Sequence, residues 1–333
     1  MMILLAVSIP LLALLNLALG SVFIPTADVV HILTGTGAYD DVATNIILRT
    51  RLPQTLTAMA CGAGLAVAGL QMQTVFRNPL AGPSVLGVSS AASLGVALVV
   101  MLSGAVGGGV LSQFGVLGNS ALTLAAIVGA MGVMMLIVYL SRVVGSSVTL
   151  LVVGVLIGYI ASAIIGVLKY FASEEDVHAY VIWGLGTFAR VTGGQVCVFT
   201  SIMAVLVPSA MLLIKPLDVL LLGEEYARNL GLNLRRTRML VILSSGALTA
   251  TATAYCGPIM FLGLAVPHIC RSLFATSTHR ILMPATMLCG ASLALLCNLI
   301  ARLPGFEGAL PINSVTALIG APVALSVLLR RRG

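Results

Sequence analysis

About ten runs of mostly apolar residues, each close to the length a helix needs to cross a hydrocarbon core, follow one another along this chain. They are Ile3–Phe23, Leu52–Thr74, Val85–Met101, Ala121–Leu140, Thr149–Phe171, Gln195–Ile214, Met239–Tyr255, Ile259–Phe274, Ile281–Ala301 and Leu310–Leu329. Only 8% of the 333 residues are charged and 59% are hydrophobic, far from the composition of a water-soluble domain. Strands of a barrel alternate apolar and polar residues, whereas Leu65 to Leu70 and Val96 to Leu102 are continuously apolar. The expected fold class is therefore an all-α polytopic membrane protein, a single permease domain over 1–333. The first run lacks a basic segment before it and a small-residue cleavage site, so it is expected to be retained as a span.

Basic residues set the expected orientation. With the N-terminus inside and ten alternating spans, the inner side holds Arg77, Arg142, Lys215, Arg228, Arg235, Arg236, Arg238, Arg271, Arg280 and Arg330 to Arg332. The outer side keeps Arg49, Arg51, Lys169, Arg190 and Arg302. That bias predicts both termini in the cytoplasm. Spans 2–5 and 7–10 are offset by five, an odd number, so related halves would cross in opposite directions as an inverted repeat. The net charge of +7 is spread over short loops, which speaks for topology and against nucleic-acid binding.

The acids exclude more. Asp28, Asp40, Asp41, Glu174, Glu175, Asp176 and Glu307 fall in outer loops, and Asp218, Glu224 and Glu225 in one inner loop. None lies mid-span, where a self-powered carrier usually keeps a carboxylate for its coupling ion. Only two lysines occur, Lys169 and Lys215, and neither follows a glycine, so there is no phosphate-binding GxxxxGK[ST] loop. Gly184-Leu-Gly186-Thr-Phe-Ala189 has dinucleotide-like spacing without the strand–helix context that gives it meaning. No HExxH or CxxC occurs, and the six cysteines suit small packing residues. No catalytic residue, metal site or cofactor is expected on this chain. Energy for uphill transport has to come from another subunit.

One inner loop is unusually long, with 24 residues between Ile214 and Met239. Gly223 precedes two acids suited to a helix N-terminus, Glu224 sits four before Arg228, Gly231 is placed to end that helix, and Asn233 to cap the next. Two short amphipathic helices at 216–238, exposing Tyr226, Leu230 and arginines, are expected to form a docking surface for a cytoplasmic partner.

The stretch from Gly223 to Arg238 resembles the ATPase-docking loop of the iron-siderophore, haem and cobalamin ABC importer permeases, the FecCD-type transmembrane subunits. Further stretches agree in order: Arg51-Leu-Pro53, Arg77-Asn-Pro-Leu80, Gly87-Val-Ser-Ser90, Gly257 to Gly263, Val266-Pro-His268, Pro311-Ile-Asn313 and Gly320-Ala-Pro322. The resemblance implies a bacterial inner-membrane homodimer in contact with lipid, with a pathway between the copies. It also implies two cytoplasmic ABC ATPases, which would hold the ATP and Mg²⁺, and a periplasmic or lipid-anchored binding protein. The implied cargo is an iron-siderophore or related metal chelate, with haem and cobalamin as alternatives.

Site residues follow from the same resemblance. Gly223, Glu224, Glu225, Tyr226, Arg228, Asn229, Leu230, Gly231, Arg235 and Arg236 would meet the ATPase. Outward Arg51 and Arg302 would meet acids of the binding protein; Gln54 departs from relatives with a second arginine there, and Arg49 stands two residues upstream of Arg51. Asn78, Pro79, Ser89 and Ser90 are expected to line the pathway or pack a tight turn, and Ser146, Ser147 and Thr149 to form an inner gate or cap a helix. His268 reads as a structural hydrogen-bonding group, Trp183 as an interfacial anchor, and Gly154-Val-Leu-Ile-Gly158 as a close helix approach.

Overall fold

A chain this apolar has no water with which to satisfy its backbone inside a bilayer, so helices must do so internally. The computed structural model describes residues 1–20, 22–36, 41–105, 115–144, 146–303 and 309–330. Every regular element among them is helical. In chain order these are α1 (Met2–Ala18), α2 (Thr26–Thr34), α3 (Asp41–Asn45), α4 (Leu52–Val75), α5 (Val88–Ala105), α6 (Gly115–Val143), α7 (Ser147–Phe171), α8 (Glu174–Gly184), α9 (Gly194–Ala210), α10 (Ile214–Leu221), α11 (Glu224–Asn229), α12 (Leu234–Cys256), α13 (Leu262–Phe274), α14 (His279–Ala301) and α15 (Ile312–Arg330). A π-helical turn, Ile46–Arg51, joins α3 to α4, and a 3₁₀ turn, Pro83–Leu86, precedes α5.

Among the described residues, six helical stretches are long and apolar enough to cross a membrane: Asp41–Val75, Gly118–Val143, Ser147–Phe171, Gly194–Leu221, Leu234–Cys256 and His279–Ala301. Four shorter apolar helices, Met2–Ala18, Val88–Leu102, Leu262–Phe274 and Ile312–Leu325, accompany them. The first run stops at Ala18 rather than Phe23, because the extended backbone of Leu19 ends the helix. Asp40, Glu307, Arg331 and Arg332 lie outside the described residues.

The buried axis is α4, against which α9, α12, α13 and α14 pack. Small residues let it do so. A Cβ placed on Gly62 would lie 2.3 Å from the Gly290 carbonyl oxygen of α14. Close approach of this kind replaces the hydrophobic drive that is missing between helices in lipid. Polar groups in the same interface are paired. Gln54 donates to Asn298 at 2.9 Å, Asn298 to Asn16 at 2.8 Å, and Asn16 to the carbonyls of Leu12 and Leu295. This chain of amides staples α1, α4 and α14 in a region where no water competes.

The Gly154/Gly158 pair of α7 approaches its own subunit. A Cβ on Gly154 would meet the Leu86 Cα and Val85 carbonyl at 2.8 Å, and Gly158 lies beside Ser90 of α5. Trp183 corrects the expectation of an interfacial anchor. It is buried, with the Arg190 guanidinium 5.8 Å from its ring, on the otherwise largely exposed helix α8 where that helix meets α5.

Candidate functional site

The segment 216–238 folds as two short helices followed by the start of α12. Pro208 and the 3₁₀ turn Met211–Leu213 end α9, and α10 turns Leu217 and Leu220 inward. Glu224 and Glu225 occupy the first turn of α11 and Arg228 its last, each complementing the helix dipole. Gly231 adopts φ +83°, and the helix closes with two paired bonds, Leu232 N–H to the Ala227 carbonyl and Gly231 N–H to the Arg228 carbonyl. That is a Schellman ending, which satisfies carbonyls otherwise orphaned at the C-terminus. The Asn233 side chain then accepts from Arg236 N–H at 3.0 Å and caps α12.

Nine of the ten residues expected to meet an ATPase behave differently from the tenth. Gly223 opens α11 half-buried, and Glu225, Tyr226, Arg228, Asn229, Leu230, Gly231, Arg235 and Arg236 are exposed. Tyr226 is 69% and Leu230 64% exposed, an unusual surface use of apolar side chains between two polar turns. Glu224 is half-exposed and is held by partners within the chain. Its carboxylate pairs with Arg238 at 2.6 Å and accepts from the Ser147 hydroxyl at 3.4 Å. Arg238 is almost buried, and its charge needs that partner.

A third acid of the segment, Asp218, was not singled out by sequence. Its Oδ1 accepts from the His279 backbone N–H at 2.6 Å and from His279 Nδ1 at 2.8 Å. The other imidazole nitrogen lies 2.8 Å from the Thr74 hydroxyl, which bonds the Leu70 carbonyl. Asp218 thus occupies the N-terminus of α14 and, through His279, reaches α4. Arg77 completes the attachment by donating to the Leu220 carbonyl at 3.3 Å. A signal existed in the sequence: Asp218 is the acid of this loop that precedes the α11 cluster, and His279 opens an apolar run.

Beside α10 a cavity of about 930 Å³ is lined by Gln73, Thr74, Arg77, Pro79, His268 and Arg271 among others. Arg271 donates to Gln73 at 2.5 Å, and His268 Nε2 donates to the Pro79 carbonyl at 2.6 Å, a structural bond. Asn78 caps its own turn, accepting from Leu80 N–H at 2.9 Å. Ser89 and Ser90 face different helices: Ser89 lies 3.2 Å from the Thr253 hydroxyl of α12, and Ser90 lies against α7. Ser146 is the N-cap of α7, accepting from Thr149 N–H; Ser147 is buried and Thr149 exposed. Among the described residues no cluster of three or more His, Cys, Asp or Glu is arranged to hold a metal ion.

At the other end, Arg51 corrects the expectation of an exposed docking arginine. It is 1% exposed and donates to the carbonyls of Leu17 at 2.7 Å, Ala18 at 2.9 Å and Val22. The Leu17 and Ala18 carbonyls lie where α1 ends, Ala18 also accepting from Ile24 N–H at 3.1 Å, and the guanidinium fork suits such a helix end. The Arg302 head comes to the same place: a Cβ on Gly20 would lie 2.9 Å from one Nη of Arg51 and 3.0 Å from one of Arg302. Among the described residues, Arg51 Nε and Arg302 Nη1 are buried without a hydrogen-bond partner. Arg49 is exposed, and Gln54 is buried in the amide chain.

With this geometry in view, comparison with known proteins is decisive for the family. Residues 6–331 match the FecCD transport family. The chain belongs to that family. Among FecCD relatives, the vitamin B12 import system permease protein BtuC of Klebsiella pneumoniae is 39% identical over 287 residues, covering 86% of this chain and 83% of that one. BtuC of Escherichia coli O9:H4 is 37% identical over 289 residues, covering 86% and 84%. A solved transporter described as of metal-chelate ABC type, in an inward-facing conformation, superposes with TM-score 0.84 at 30% identity, over 99% of this chain and 98% of that one. PsaBC from Streptococcus pneumoniae shares the fold, with TM-score 0.56 at 15% identity. The protein is accordingly a multi-pass ABC importer permease of the FecCD family.

Proposed function

We propose that this permease moves cobalamin or a chemically related metal chelate across the bacterial inner membrane. ATP hydrolysis occurs on two cytoplasmic ATPases docked on the exposed face of α11, and a binding protein delivers the cargo from the other side. One observation carries the docking: α11 has a Schellman ending and is tied to α12 by the Glu224–Arg238 pair, yet presents Tyr226 and Leu230 on its surface. The cobalamin assignment rests on the BtuC relatives. An iron-siderophore cargo is the second reading, supported by the metal-chelate type of the solved relative and lacking any more specific support. Half-buried Arg302, with buried Arg51 behind it, is the arginine of this pair placed to receive a carboxylate of the binding protein.

Ten spans with both termini in the cytoplasm belong to this proposal, as does a second copy completing the pathway. The packing map supports the inverted repeat. Exchanging α4–α7 for α12–α15 turns the α4 contacts with α13 and α14 into the α12 contacts with α5 and α6, and the α5 contacts with α6 and α7 into the α13 contacts with α14 and α15. The test is uptake of cyanocobalamin and of ferric siderophores, separately, by a strain lacking its own permeases and expressing this one with its ATPase and binding protein. Cobalamin uptake is expected; uptake of a ferric siderophore alone selects the second reading, and uptake of neither rejects the cargo class.

A further inference from the structure

The cavity beside α10 has an unusual lining for a space between apolar helices. Arg77, just past the end of α4, and Arg271, in the last turn of α13, reach it from two separate elements. Among its described lining residues none is acidic. Asp218, the acid of α10, is bonded to His279 and does not line the cavity. Arg77 sits at φ +46°, a backbone conformation costly for arginine, and its side chain reaches α10. There it donates to one neutral carbonyl, that of Leu220, and pairs with no carboxylate among the described residues. Arg271 likewise meets a neutral oxygen, on the Gln73 side chain. The C-terminal ends of α4, α10 and α13 come together here, each carrying roughly half a negative charge, so two full positive charges exceed their sum.

The rest of the wall is partly apolar. Leu221 of α10 and Leu273 of α13 are exposed, and Val323 of α15 lines the same space. At about 930 Å³ the cavity lies near the upper end of the roughly 300–1,000 Å³ of pockets for drug-sized ligands, far more than one inorganic phosphate fills. It sits where α4 and α13 end, the level at which spans leave the hydrocarbon and headgroups begin. Basic pockets between spans on the cytoplasmic side attract anionic headgroups. We propose that this cavity binds an acidic glycerophospholipid of the inner leaflet. Arg77 and Arg271 take the phosphate, the exposed Ser272 and Ser277 hydroxyls meet the glycerol and its esters, and the upper acyl chains lie against Leu273 and Val323. A guanidinium fork suits a phosphodiester, since two parallel N–H bonds reach two of its oxygens. A lipid held there braces α10, the root of the docking segment, against α13. The inference goes beyond the transport reading and takes from it only the orientation, which puts this end at the cytoplasm.

The experiment measures lipid binding to the purified full-length permease, by native mass spectrometry and by its melting temperature in detergent. Phosphatidylglycerol is expected to bind at one copy per chain, at least tenfold more tightly than phosphatidylcholine of the same acyl chains, and to raise the melting temperature. Arg77→Gln and Arg271→Gln are each expected to weaken that binding at least fivefold. Arg280→Gln, which removes an exposed inner arginine outside the cavity lining, is expected to change it less than twofold. Both cavity arginines also bond within the chain, so Ser272→Glu supplies a variant that spares them. An acid at this exposed lining position is expected to weaken binding at least fivefold, and Ser272→Gln to leave it near the parent value. Equal binding of phosphatidylcholine overturns the inference. An Arg280→Gln loss as large as that of Arg271→Gln, or full binding by Ser272→Glu, overturns it too, because the attraction is then diffuse surface charge. Millimolar inorganic phosphate that displaces the lipid and reproduces the melting shift makes this a free-phosphate site and rejects the lipid. Sidedness is read separately, from Ser277→Cys in a Cys197→Ser background treated with a hydrophilic maleimide in intact cells and in inverted vesicles. Labelling in inverted vesicles alone is expected. Labelling in intact cells overturns the orientation, and the inner leaflet with it, whereas loss of lipid preference under the expected labelling overturns only the lipid site.

Discussion

Buried polar side chains decide much of what single substitutions do in this protein. Asn298 stands in the middle of the amide chain, accepting from Gln54 and donating to Asn16, so Asn298→Leu leaves both partners unpaired in a dry interface. Each orphaned group costs roughly 1–3 kcal/mol, and the variant is expected to lower the detergent melting temperature clearly while leaving the exposed α11 face intact. Replacing Gln54 and Asn298 together by leucine is expected to recover part of that loss, measured in the same melt. Arg51 behaves similarly: Arg51→Ala takes the side-chain donor away from the carbonyls of Leu17, Ala18 and Val22, and is expected to expose the start of the α1–α2 connection to protease before it affects ATPase binding. Arg51→Lys supplies a charge without the fork and is expected to be only a partial rescue.

Between residues and fold, helix ends and helix contacts carry the function. Gly231→Val places a β-branched residue at φ +83° and removes the Schellman ending of α11, at a cost of roughly 1–2 kcal/mol confined to that helix. Hydrogen exchange is expected to rise in 224–232 and not in α4. Gly290→Val, by contrast, drives side-chain atoms into the Gly62 carbonyl and is expected to destabilise the whole bundle by more than the roughly 1–3 kcal/mol of ordinary overpacking. The elements themselves were largely legible in sequence. Gly231 and Asn233 each announce a cap by residue type, and each acts as one. Partners across the fold were not legible: nothing local in Glu224 says that it faces Arg238 and Ser147 while Glu225 faces solvent, nor does Arg51 in Arg-Leu-Pro reveal that α1 ends against it. Such pairings depend on how helices distant in sequence are brought together. The length of one span was blurred for a related reason, since burial allows Leu262–Phe274 to be shorter than a free helix in lipid needs.

At the scale of the molecule, one end holds a rooted pair of helices with an exposed apolar face, and the other a pair of arginines gathered behind the end of α1. Between them α4 and α14 form a closely packed, buried core, while α6, α7 and α9 leave most of their span surface outside it. The arrangement suits a permease that supplies path and gate but takes its drive from proteins bound at its two ends. The most direct test is affinity purification of the permease co-expressed with its ATPase, comparing the parent with a Tyr226→Asp, Leu230→Asp variant whose melting temperature is matched. One ATPase per permease is expected for the parent, with loss of at least nine-tenths of it in the variant. Undiminished ATPase on the variant, or its absence from the parent, contradicts the account.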